Sequence, residues 1–461
     1  MTHTRVRKRR ILSALTAFVL ALSLFPTAAL AAEEYDSGSG TEDAPYIITT
    51  ADQLAGIKEN LDAHYKLEND IELTGNWDPI GTFEAADEDG ETPNTEKAFT
   101  GVFDGNGKTI SGLKVEDSIA AGLFGCVANG TVKNVTIQNV AVSGSCMAAA
   151  AVGYAYNSTV ENVKLTATEG QENSITANVL NYEGTNMAPN MVAGIVGAGM
   201  DSTIKDCTVE HAKMTVTGLT AASGWGANVH DMGLLGGGLE GTSLEGCTVK
   251  NSELSVTGAY SYGIGGLSGC AIGADYVKNC TVNNVKITLQ DNAYLTGGLV
   301  GYAGKTDGEL TKLSDCKSEG VRISSGAFSS RIGGLIGGGF YLPVYKSYYP
   351  VPTSYSVTGY EVTNVAITTG ENSAALGLIA GQGYLSSVSG SVAAGTINST
   401  ESTVVCGAAE EEKSTFLYEL SETYQPLFEG ASFNTEYNQY WSDYAAAVVG
   451  ENASETANAV G

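Results

Sequence analysis

The chain has 461 residues, with 51 Asp and Glu against 24 Lys and Arg and a formal net charge of −27. Glycine supplies 58 residues and proline only 9, while hydrophobic residues at 43% are enough for a core. Wholesale disorder is therefore excluded, collagen is excluded because the glycines lack an every-third-residue period, and the acidic balance leaves no electrostatic footprint for nucleic acid or anionic lipid.

The first element in chain order is an export signal. Arg5, Arg7, Lys8, Arg9 and Arg10 precede the apolar run from Ile11 to Phe25 and the small residues Ala28 to Ala32, which predicts a secretory signal peptide over residues 1–32. The run is about 15 residues, short of the roughly 20 that a span needs, and nothing later is long and apolar enough to cross a bilayer. Removal of five basic residues takes the charge from −27 to −27 − 5 = −32. The mature chain is expected to be secreted or held at the cell surface.

Residues 33–65 read as a linker and N-terminal cap. Within them Leu54, Ile57 and Leu61 stand at i, i+3 and i+7, with Thr50 as N-cap, which predicts a short amphipathic helix closing one end of the molecule.

From residue 122 a short unit recurs: Gly122-Leu-Phe-Gly125, a degenerate Ala150-Ala-Val-Gly153, Gly194-Ile-Val-Gly197, Gly233-Leu-Leu-Gly236, Gly266-Leu-Ser-Gly269, Gly298-Leu-Val-Gly301, Gly334-Leu-Ile-Gly337 and Gly377-Leu-Ile-Ala380. Behind each comes a second half, as in Val132-Lys-Asn-Val135-Thr-Ile137 and Val277-Lys-Asn-Cys280-Thr-Val282. Aligned, these halves give an apolar column of Val135, Val163, Cys207, Cys247, Cys280, Cys316, Tyr360 and Ser391. Two residues on, the mainly apolar Ile137, Leu165, Val209, Val249, Val282, Ser318, Val362 and Ala393 form another, so the halves alternate as half-buried strands do. Four residues after the first column stand Asn139, His211, Asn251, Asn284, Gly320, Asn364 and Gly395. Asn and Gly tolerate a left-handed backbone, which predicts a corner before a third apolar column of Val142, Met214, Leu254, Ile287, Ile323 and Ile367.

Strand, corner, strand, variable loop and glycine unit, repeated about eight times, predict an all-β parallel β-helix over residues 66–409 with about eight to ten coils. Coils stacked about 4.8 Å apart enclose a narrow apolar interior, and the unequal intervals are expected to be loops on one side of the rod. Residues 410–461, with nine aromatics, read as a C-terminal cap and tail. A β-propeller is the alternative; it needs four strands per blade and blade signatures that the repeat lacks.

The glycine units at 122, 233, 298 and 334, preceded by Phe99-Thr-Gly101-Val-Phe103-Asp104-Gly-Asn-Gly107-Lys-Thr-Ile110-Ser-Gly-Leu113, resemble the bacterial GLUG-motif β-helix proteins. The resemblance covers roughly residues 41–400. It implies a right-handed β-helix in an exported, adhesin-like surface protein, and it brings no catalytic residues with it. The motif also precedes the protease domain of some immunoglobulin A metallopeptidases.

Signals for chemistry are sparse. The histidines are His3, His64, His211 and His230, none followed by Glu, so no His-Glu-x-x-His zinc site exists. Gly-x-Ser-x-Gly is absent, and Gly101 to Thr109 has the wrong glycine spacing for a phosphate loop. Asp104-Gly-Asn106-Gly reads as a turn instead of a calcium loop, and the acidic stretch from Glu84 to Glu91 as a solvated loop. Asp206 and Asp315 sit beside the corner three coils apart, and most other repeats carry Asn or Gly at that position. No metal or other cofactor is expected. Cys207, Cys247, Cys280 and Cys316 occupy one column; parallel Cβ vectors about 4.8 Å apart miss the roughly 3.8 Å of a disulfide, which predicts a buried structural thiol ladder.

The segment Tyr341-Leu-Pro-Val-Tyr345-Lys-Ser-Tyr348-Tyr349-Pro-Val-Pro-Thr-Ser-Tyr355 is the compositional anomaly: a stiff aromatic surface suited to sugars or a protein interface. The sequence thus points to a monomeric, non-enzymatic surface β-helix that binds a glycan or an extracellular host or matrix protein through Tyr341, Tyr345, Tyr348, Tyr349 and Tyr355. The alternative is a carbohydrate-active β-helix enzyme, a polysaccharide lyase or hydrolase.

Overall fold

A computed structural model describes residues 35–84, 94, 96–118, 120–182, 185–187, 190–218, 229–258, 260–305, 312–341, 356–383 and 388–409. The signal segment, the C-terminal cap, most of the acidic loop and Tyr345, Tyr348, Tyr349 and Tyr355 lie outside the described residues.

The chain winds as a parallel β-helix whose strands assemble into a 25-stranded, a 9-stranded and a 7-stranded sheet. One coil shows the plan. Thr131–Lys133, Thr136–Gln138 and Ala141–Gly144 join the 25-stranded sheet, Cys146–Ala148 the 7-stranded one, and Val152–Tyr156 the 9-stranded one. The coil therefore has five short strands, and the glycine unit is itself the bend between the last two.

Inward positions are apolar and stacked in register. Val132, Val160, Ile204, Leu244, Val277, Leu313 and Val357 pair rung by rung and are all fully buried. The third column predicted from sequence, Val142 to Ile367, is likewise continuous, with Ile175 filling the rung between Val142 and Met214.

The corners are left-handed, as the Asn and Gly column requires: φ is +55° at Asn139, +55° at His211, +49° at Asn251, +50° at Asn284, +61° at Gly320 and +54° at Asn364. A second left-handed column, Asn134, Asn162, Asp206, Gly246, Asn279, Asp315 and Gly359, lies just before the cysteine column. A third turns at Asn129, Asn157, Asp201, Gly241 and Gly273. Side-chain amides link neighbouring rungs, with Asn284 Nδ2 donating to Asn251 Oδ1 at 2.8 Å and Asn157 Nδ2 to Asn129 Oδ1 at 2.7 Å.

Three readings of the repeat are corrected. The units at 233 and 377 are each one residue out of frame: Gly237 and Gly381 complete a column with Gly125, Gly153, Gly197, Gly269, Gly301, Gly337 and Gly407. Gly233 and Gly377 belong to a different column with Gly265, Gly297 and Gly333. Runs such as Gly-Leu-Leu-Gly-Gly-Gly fit a four-residue pattern in several frames, and backbone contact selects one. A Cβ on Gly197 would stand 2.6 Å from the Met147 carbonyl carbon and 2.7 Å from the Gly153 carbonyl oxygen. In the last coil the frame slips because the pairing is bulged: Tyr360 faces Gly390 instead of Ser391, and Gly395 faces Val365 instead of Asn364. Finally, the long connections leave two edges of the rod. Thr217 to Val229 joins the 25-stranded to the 7-stranded sheet, whereas Tyr341 to Ser356 joins the 9-stranded to the 25-stranded sheet.

At the N-terminal end the helix Ala51–Ala55 continues as a 3-10 turn, Gly56–Glu59. Gln53 N–H donates to Thr50 Oγ1 at 3.2 Å and Thr50 N–H to Gln53 Oε1 at 3.3 Å, a capping box contributing about 1 kcal/mol. Leu54 and Ile57 are fully buried in the core with Ile48. Strand pairing begins in this segment, where Tyr46–Ile48 runs parallel to His64–Leu67.

Candidate functional site on the outer bend

Tyr341 closes the strand Ile336–Tyr341, and the other four tyrosines of its loop lie outside the described residues. The four column cysteines are stacked on adjacent rungs, free and buried. Each thiol turns to backbone carbonyls: Cys207 Sγ lies 3.3 Å from the Lys205 oxygen and Cys316 Sγ 3.3 Å from the Ser314 oxygen. Burial, then the neighbouring Cys247, pushes the Cys207 thiol up, while Cys247 is pulled down by the thiols of Cys207 and Cys280 on either side. Such a ladder fills the core as small hydrophobes do. Cys126 and Cys270 share another column four rungs apart.

The most developed polar constellation lies where the 7-stranded sheet bends into the 9-stranded one. Each 7-stranded rung is kinked by one left-handed residue: Met147, Met191, Asp231, Gly263, Leu295, Arg331 or Ala375. Most are side chains that rarely accept this backbone, so the surrounding ladder imposes it. The kink breaks the in-out alternation. Val229 and Met232 lie in the main core, whereas His230 and Asp231 between them lie off it.

These displaced side chains cover the outer face of the 9-stranded sheet and make a second apolar layer. Met147 and Met191 pack with Cys126, Tyr154 and Ala198, and Leu295 packs with Cys270, Ile272 and Tyr302. Asp231 falls between the two groups and is only 8% exposed. Its Oδ2 lies 2.9 Å from His230 Nδ1, and its Oδ1 accepts from Tyr302 Oη at 2.9 Å. Burial first, and the Asp231 charge second, push the Tyr262, Tyr302 and Cys270 protons to higher pH, which keeps those groups neutral.

One residue before the kink runs an outward column in register: Asn190, His230, Tyr262, Tyr294 and Ser330. The His230 and Tyr262 rings stack at 5.1 Å and 11°, and the Arg331 guanidinium lies 4.7 Å from the Tyr294 ring centroid. All are half-buried, so ring edges and polar tips face outward. The stripe escapes a motif search, which asks of His230 only whether Glu follows it. The signal was present in the residue four positions ahead of Leu234, Gly266 and Gly298, which reads His230, Tyr262 and Tyr294. Asp206 and Asp315 occupy left-handed corners three rungs apart. Among the described residues no group of three or more His, Cys, Asp or Glu is placed to hold a metal ion.

No family model matches the chain. Halomucin of Haloquadratum walsbyi is 37% identical over 147 residues, which are 30% of this chain and 2% of halomucin. A protein of Evansella cellulosilytica described as "Putative Gly-rich membrane protein" is 34% identical over 110 residues, 22% of this chain and 12% of that protein. The chain thus spans a small part of the length of either relative. Among solved structures, one described as a "putative immunoglobulin A1 protease from Bacteroides ovatus" aligns over 87% of this chain and 94% of its own, at 14% identity and a TM-score of 0.35. No helix among the described residues is long and apolar enough to cross a membrane.

Proposed function

We propose that this chain is an exported, surface-displayed β-helix of the GLUG-motif type that binds an extended ligand, a glycan or an extracellular host or matrix protein, without turning it over. The observation carrying this reading is the in-register outward column of His230, Tyr262 and Tyr294 beside Arg331. It offers aromatic edges, hydroxyls and a guanidinium at a fixed rung spacing of about 4.8 Å, a periodic surface suited to a linear ligand lying along the rod. The basic, apolar leader and the likeness of segments of the chain to halomucin and to a Gly-rich membrane protein support display outside the cell. The aromatic segment from Tyr341 to Tyr355, of which only Tyr341 is among the described residues, is a second candidate contact.

The Asp231–His230 pair favours a second reading, a carbohydrate-active enzyme with the imidazole as base. Against it, both Asp231 oxygens are already engaged, and glycoside hydrolysis calls for a second carboxylate about 5–9.5 Å away. A glycan and matrix-protein array separates the readings. Saturable binding with no release of reducing ends or unsaturated sugars supports the scaffold, and turnover on any polysaccharide refutes it. Tyr262→Ala with Tyr294→Ala should abolish binding at an unchanged far-UV spectrum; unaltered affinity excludes the outer bend.

A further inference from the structure

The largest sheet carries a charge pattern that the ligand reading leaves unused. One of its outward columns runs Lys66, Asp104, Lys133, Glu161, Lys205, Glu245, Lys278, each paired in register with the next. The sign changes at every rung. All seven side chains are half-buried, and their charged groups meet across rungs: Lys133 Nζ to Asp104 Oδ2 at 3.9 Å, Lys205 Nζ to Glu161 Oε1 at 3.8 Å and Lys278 Nζ to Glu245 Oε1 at 3.2 Å. Elsewhere on the sheet Lys250 meets Glu210 and Lys317 meets Glu361, each at 2.9 Å. One neighbouring column breaks the rule where Lys286 faces Arg322, and that guanidinium turns to the Gly320 carbonyl at 3.3 Å.

Ion pairs whose side chains keep 28–41% of their surface in solvent, as these do, contribute little to stability, so the alternation needs another reason. The interior supplies none, because the stacked Val, Ile, Leu and Cys of one coil fit those of any other. An identical coil from a second copy would fit as well, adding in parallel register to an exposed edge during folding. In that arrangement each residue of the column meets itself: Lys133 on Lys133, Glu161 on Glu161. The native neighbours bring unlike charges together, and self-pairing brings like charges to about 4.8 Å at whichever rung forms the junction.

We propose that this column is a device against self-association, admitting the native coil order and rejecting in-register pairing of identical coils from separate copies. The test compares refolding of the full chain from urea for three proteins. The neutral variant carries Asp104→Asn, Lys133→Gln, Glu161→Gln, Lys205→Gln, Glu245→Gln and Lys278→Gln. The inverted variant carries Asp104→Asn, Lys133→Glu, Glu161→Lys, Lys205→Glu, Glu245→Lys and Lys278→Glu, which preserves alternation with nearly the same net charge. Asn at 104 keeps an acceptor for the Asn106 N–H and Asn134 Nδ2. All three should refold to monomer at high dilution. At higher concentration the monomer yield of the neutral variant should fall to about half or less of the native yield, while the inverted variant matches the native chain. Added salt should lower the native yield toward that of the neutral variant. Equal yields for the neutral and native chains, a loss in the inverted variant as large as in the neutral one, or failure of the neutral variant to refold at high dilution would each overturn the proposal.

Discussion

The Tyr302 hydroxyl donates to Asp231 Oδ1 at 2.9 Å, joining residues 71 positions apart in the chain and fixing the carboxylate against the outer face of the 9-stranded sheet. Tyr302→Phe keeps the ring and leaves a nearly buried carboxylate with one partner fewer. A loss of about 1–3 kcal/mol is expected, read as a lower urea midpoint at constant m-value. Removing the charge as well, in Tyr302→Phe with Asp231→Asn, should recover part of that loss. A neutral Tyr302→Phe would show that water satisfies the carboxylate.

Close approach, and not conformational freedom alone, fixes the glycine column of the 9-stranded sheet. A methyl group on Gly197 meets the backbone of Met147 and Gly153, neither of which can rotate away. Gly197→Ala should cost about 3 kcal/mol in urea unfolding, the upper end for overpacking. Gly170 makes the contrast: a Cβ there meets nothing within 4 Å and only the left-handed backbone at φ +79° opposes a side chain, so Gly170→Asn should cost no more than about 1 kcal/mol.

His211 is the one histidine in the corner column, at φ +55°, and its ring is 3.4 Å from Glu210 Oε1 in an exposed pair. A corner role predicts that His211→Asn is tolerated within about 0.5 kcal/mol, whereas His211→Val loses about 1–2 kcal/mol because a β-branched residue resists the left-handed region. Equal stability of the two variants in thermal melts would count against that role.

Buried thiols set an alkaline limit. Burial pushes Cys126 from 9.0 up to about 12 and Cys146 up to about 11. The unfolded chain releases these protons first, so their contribution to stability is complete below pH 9 and is lost as pH rises toward 12. The urea midpoint should therefore decline across that window, and Cys126→Ala should flatten the decline. Thiol-reactive dye should label Cys207, Cys247, Cys280 and Cys316 in the unfolded chain only; rapid labelling of the folded chain would contradict their burial.

The fold was legible because a solenoid writes its contacts into the sequence as columns. The apolar column at Val142 and the left-handed corner at Asn139 could be read without coordinates, because each rests on one residue type at one spacing. The frame at Gly233 could not be read, since glycine runs satisfy a short pattern in several ways and only the opposing backbone of Met191 and Gly197 decides among them. The outer bend was hidden for a different reason. A kink that puts both His230 and Asp231 off the core breaks the period of two on which strand reading depends, and Tyr302 reaches Asp231 from two coils away.

The alternating column restricts how the length of this molecule can change. Every coil from Asn251 to Asn284 or from Asn284 to Gly320 begins and ends at an equivalent corner, so backbone geometry permits excision or duplication of one coil anywhere in the stack. Electrostatics disfavours it. Loss of the coil bearing Glu245 would set Lys205 against Lys278, whereas loss of two successive coils restores opposite signs at the junction. Within the segment from Lys66 to Lys278 the rod has a parity, and coils are expected to be gained or lost there in pairs.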